Sequence, residues 1–62
     1  MTSKEALIAM DTLIDLDNEF CQIIVESGRE KGVTEHESQM TWKRTKWHFI
    51  IQAKINKLKK HI

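Results

Sequence analysis

The sequence predicts an all-α fold: a helical hairpin of two antiparallel helices that pairs with a second copy into a homodimeric four-helix bundle. Three observations carry this. Proline is absent and the two glycines, Gly28 and Gly32, both lie near the middle, so long stretches on either side contain no breaker. Apolar residues in both halves recur at three- and four-residue spacing, the period of a helix and not of a strand. Each half also opens on the same signal, Thr2 to Glu5 and Thr34 to Glu37. In this Thr-x-x-Glu pattern the hydroxyl caps an orphan backbone N–H and the carboxylate reaches back to the cap.

The chain reads as one domain over residues 1–62, with helix 1 over about 3–30, a turn at 31–34 and helix 2 over about 35–60. Gly32, two residues before the second cap, is the expected left-handed terminator of helix 1, with Gly28 as an earlier stopping point. Around helix 1, residues such as Ala6, Met10, Leu13, Leu16, Phe20 and Ile24 spread over an arc of roughly 200°. One neighbouring helix covers only ~100°. Helix 2 is more divided. Met40, Trp47, Ile51, Ile55, Leu58 and Ile62 form one stripe, while Trp42, Phe49 and Ala53 fall on roughly the opposite side. A single partner helix cannot cover both. With 62 residues and one cysteine, the chain has no disulfide to make up for a small core, so self-association is the expected remedy.

The formal net charge of +1 conceals an asymmetry. Residues 1–28 carry Glu5, Asp11, Asp15, Asp17, Glu19 and Glu26 against Lys4 alone. Residues 41–62 carry Lys43, Arg44, Lys46, Lys54, Lys57, Lys59 and Lys60 with no acid. Folding back about residue 32 sets position i beside roughly 65 minus i, so Asp11 is expected near Lys54, Glu19 near Lys46 and Glu5 near Lys60. Asp17 and Arg44 both fall inside apolar stripes, where a charge needs a partner. They are expected to pair and to set the register of the assembly.

Catalytic and metal chemistry find no pattern to stand on. His36, His48 and His61 lack the spacing of a helical metal site, the lone Cys21 rules out zinc-ribbon motifs, and no glycine-rich phosphate loop is present. No cofactor and no enzymatic activity are expected. No apolar run approaches a membrane span, and no signal peptide opens the chain, so a cytoplasmic protein without a membrane partner is expected.

The segment Trp42-Lys43-Arg44-Thr45-Lys46-Trp47-His48 is the most suggestive. Trp42 and Phe49, rimmed by Lys43 and Lys46, form the expected docking site for an unidentified protein partner, an apolar anchor inside a basic border. Trp47 is expected in the core stripe. The competing expectation is a dimeric RNA- or DNA-binding module using Lys43, Lys46, Lys54 and Lys57, which share a face of one continuous helix. The layout resembles the plasmid copy-number hairpins, which dimerise into four-helix bundles and bind RNA. The Gly32-Val33-Thr34 turn is similar to that of the sporulation phosphatase hairpins, but Thr41-Trp42-Lys43-Arg44-Thr45 stands where their active aspartate motif belongs. The sequence thus leads to a small non-enzymatic regulatory protein, of a kind common in bacteriophages and mobile elements, that binds itself and a component of host machinery.

Overall fold

The computed structural model describes all 62 residues. It is all-helical, with α1 over Ser3–Glu30, α2 over Glu35–Lys43 and α3 over Lys46–Lys59. No helix is long and apolar enough to cross a membrane.

α1 starts on a complete capping box. The Glu5 N–H donates to Thr2 Oγ1 at 3.1 Å, and the Thr2 N–H donates back to Glu5 Oε1 at 3.3 Å. It stops on a Schellman closure: the Val33 N–H donates to the Gly28 carbonyl at 2.8 Å and the Gly32 N–H to that of Arg29 at 3.1 Å. Gly32 takes φ of +80° there, a conformation that a Cβ would oppose. Gly28 does not end the helix. It is buried inside α1, where an added Cβ would come within 2.4 Å of Ser38 Oγ. Its missing side chain is what lets α1 and α2 approach closely at the turn.

The C-terminal half is not one helix over 35–60. α2 ends at Lys43 with Arg44 as its C-cap, Thr45 swings out to φ −74° and ψ 150°, and α3 begins at Lys46. Neither proline nor glycine makes this break. The Thr45 hydroxyl donates to the Trp42 carbonyl at 2.7 Å and accepts from the His48 N–H at 3.2 Å, so it closes one helix and caps the next. Every helix of the molecule therefore starts on a threonine: Thr2, Thr34 and Thr45.

The physical reason for the break lies in packing against α1. In an unbroken helix Trp42 and Ile51 would sit about 180° apart, and only one could face α1. With the phase reset at Thr45, Trp42, Ile51 and Ile55 form one buried cluster, packed against Met10, Leu13, Cys21 and Ile24 of α1. The conflict between the two apolar stripes is thus resolved in large part within the chain.

α2 and α3 both lie along α1, running back antiparallel to it: Gly28 meets Ser38, Asp17 meets His48, and the Ser3 hydroxyl donates to the His61 carbonyl at 3.0 Å. The result is a rod of 45 × 16 × 13 Å. Its radius of gyration is 13.8 Å, against ~10.6 Å for a compact chain of this length. Its accessible surface of 4879 Å² likewise exceeds the ~4,200 Å² usual at this mass. A rod two helices thick has almost no interior, and only seven residues are buried.

Candidate functional site

At the middle of the rod a polar group organises an apolar one. Asp17 sits in the centre of the inward stripe of α1, between Leu13 and Cys21. One carboxylate oxygen, Oδ1, accepts from Trp42 Nε1 at 2.9 Å and contacts His48 Nδ1 at 2.9 Å. A carboxylate only accepts, so Nδ1 carries the proton of this second bond. The Asp17 and His48 side chains are 15% and 16% exposed, and no buried side-chain nitrogen or oxygen lacks a partner. Trp42 and His48 would stand about 120° and 9 Å apart on a continuous helix. The turn at Thr45 is what brings both to one oxygen atom.

Asp17 thereby locks the Trp42 indole in place, and the indole supports what surrounds it. Phe20 stacks on Trp42 with ring centroids 5.7 Å apart and planes inclined by 25°, while His48 meets the same ring edge-on at 5.8 Å. Beside this stack opens a cavity of about 470 Å³ lined only by apolar residues: Leu16 and Phe20 from α1, Trp42 from α2, and Trp47, Ile50 and Ile51 from α3. Trp42 and Ile51 form its floor; the other four are exposed and form its walls. An apolar recess this continuous on a small chain is the feature most often associated with a binding surface.

The structure redistributes the residues singled out in the sequence. Trp42, expected as an exposed anchor, is 4% exposed, whereas Trp47, expected in the core, is 67% exposed. The two indoles exchange roles because α3 is rotated relative to a continuation of α2. Phe49 remains exposed, as do Lys43 and Lys46, but Phe49 is separated from the cavity and contacts the edge of the His48 ring at 6.0 Å. Asp17 is bonded to Trp42 and His48 and not to Arg44, which is exposed at the C-cap of α2. Lys54 and Lys57 are exposed on α3, but Lys43 belongs to α2, so the four lysines do not share one continuous helix face.

None of the expected pairs Asp11–Lys54, Glu19–Lys46 or Glu5–Lys60 forms. Apart from the Asp17–His48 hydrogen bond, the oppositely charged contact present is a loose Arg29–Glu35 approach of 3.9 Å at the turn. No carboxylate of α1 is thus paired with a lysine of α3. Cys21 is half-buried against the core cluster, and no three His, Cys, Asp or Glu side chains are gathered as a metal-binding group.

Sequence reasoning missed His48 as the partner of Asp17, and Leu16, Phe20 and Ile50 as walls of a shared cavity. One signal was present. Thr45 stands three residues before His48, and apolar residues change phase across it. Compared with family models, curated proteins and solved structures, the chain matches none.

Proposed function

We propose that the chain is a non-enzymatic regulator of the cytoplasm that works through protein–protein contact. It assembles first with itself, as a helical-hairpin homodimer forming a four-helix bundle, and offers the remaining surface to a partner such as a component of host machinery. The observation that carries this reading is the wholly apolar cavity between α1 and α3, with Trp47 exposed on its wall. Aromatic side chains that lose water when a recess is covered are where binding energy concentrates. A rod with so little interior also gains stability from covering such a recess.

Sedimentation equilibrium over a wide concentration range, with tryptophan fluorescence on the same samples, tests it. Trp42→Phe leaves Trp47 as the sole indole, and its emission should shift to the blue as the chain associates. A monomer at every concentration, with Trp47 emission unchanged, removes the self-assembly part of the reading.

A second reading rests on a separate observation. Lys43, Lys46, Lys54 and Lys57 are exposed, and none makes an ion pair. They are free to meet phosphates, which supports a dimeric RNA- or DNA-binding module. Binding that falls by orders of magnitude between about 50 and 200 mM salt, through release of counterions, favours this second reading. An apolar protein contact changes much less over that range.

A further inference from the structure

The two rims of the cavity differ in sign. Outward from the cavity wall of α1, beyond Phe20 and Leu16, helical geometry brings up Ile23, then Glu19 and Glu26. On the wall of α3 it brings up Lys54 between Trp47 and Ile50, then Lys57 and Lys46 outward of Ile50. All five charged residues are exposed, and none is in an ion pair. The recess is therefore an apolar strip with an acidic border on one side and a basic border on the other.

We propose that its occupant is a second copy of the chain, related by a two-fold axis parallel to the long axis of the rod, so that α1 of each copy lies against α3 of the other. This deepens the self-association reading and rests on it. The Asp17–His48 contact places the Leu16–Phe20 segment at the same height along the rod as Trp47 and Ile50. Rotation about the long axis preserves height. It therefore seats Leu16 and Phe20 of one copy on Trp47 and Ile50 of the other, and closes both halves of the strip at once. The same rotation sets Glu19 against Lys46 twice over, since the two stand level about the Asp17–His48 contact. A two-fold axis across the rod would instead lay α1 on α1 and α3 on α3, with like charges facing along both seams, which costs affinity. In the proposed arrangement each helix of one seam is antiparallel to both of its neighbours, as in up-and-down bundles. The area is adequate too. A face 45 Å long and 16 Å wide offers on the order of 700 Å², close to the ~800 Å² per partner of stable interfaces.

Disulfide trapping of the full chain decides the arrangement. In a Cys21→Ala background, one preparation carries Glu19→Cys and a second carries Lys46→Cys, both at exposed sites, with circular dichroism confirming the fold of each. Mixed under mild oxidation, the two should give a mixed disulfide dimer in about tenfold excess over what either gives alone, the ratio expected of a modest orientational preference. Sedimentation on the uncross-linked variants reports association separately. Dimers in which Glu19→Cys links to itself as readily as to Lys46→Cys overturn the α1-against-α3 arrangement but leave self-association standing. Monomers with no trapped species overturn both.

Discussion

Trp42 and Trp47 lie five residues apart in one basic stretch, yet the fold treats them oppositely. Trp42 is 4% exposed, stacked on Phe20, with its Nε1 donating to Asp17. Trp47 is 67% exposed on the wall of the cavity and makes no side-chain hydrogen bond within the chain. Composition and helical propensity do not separate them. The difference is a partner for the indole N–H. A tryptophan is buried without loss only where that N–H is satisfied, and Asp17 offers an acceptor on the inward face of α1, toward which Trp42 is turned and Trp47 is not. The contrast shows how a charge inside an apolar stripe can select which aromatic becomes core and which stays available for contact.

Substitutions at four positions break or sharpen this contrast, in descending order of effect on the folded chain. Trp42→Ala removes the floor of the cavity and leaves Asp17 short of a donor. The expected loss is ~3–5 kcal/mol, comparable with the whole stability of a chain this small, so helicity by circular dichroism should collapse. If Trp42→Ala stayed helical, the indole would not be the keystone described here. Next, Asp17→Ala orphans the Trp42 N–H and should cost ~1–3 kcal/mol in urea unfolding. Asp17→Asn retains an acceptor and should lose less. An equal loss from Asn and Ala would place the contribution in the charge and not in the bond to Trp42.

Thr45→Ala deletes the cap of α3 and the hydroxyl bond to the Trp42 carbonyl, at a cost of ~1 kcal/mol. Its signature should be local: amide hydrogen exchange should rise at the start of α3 while α1 stays protected. Exchange unchanged at 46–49 would mean that packing alone holds the break. Trp47→Ser should change the stability of the monomer least, within about 0.5 kcal/mol, but should shift the association equilibrium strongly toward monomer. Unaltered sedimentation of Trp47→Ser would show that the exposed indole contributes nothing to assembly.

Legibility in the sequence followed the range of the interaction. Thr2 with Glu5 and Gly32 with Val33 act over five residues or fewer, and their bonds can be anticipated from spacing alone. Gly28 was ambiguous, because a glycine that ends a helix and one that admits a neighbour look alike until Ser38 is in place. The misplacement of Trp47 came from projecting residues 35–60 as one cylinder. That projection assigns phase by counting, and a single extended residue at Thr45 invalidates the count for everything after it. The cavity inherits the same difficulty, since Leu16 and Phe20 become its walls only once Trp47 and Ile50 have been rotated to meet them.

By itself the sequence determined that this chain is all-helical, that α1 begins at a capped threonine and closes at a glycine, and that acidic and basic residues segregate into opposite halves. These are consequences of local hydrogen bonding, backbone sterics and composition. Only the tertiary structure decided that Thr45 divides the return segment, that Trp42 is core while Trp47 is surface, and that Asp17 holds Trp42 and His48 and not Arg44. Each of those depends on which face of the return segment α1 can bury with every polar atom satisfied, a condition set by contacts 25 to 31 residues apart.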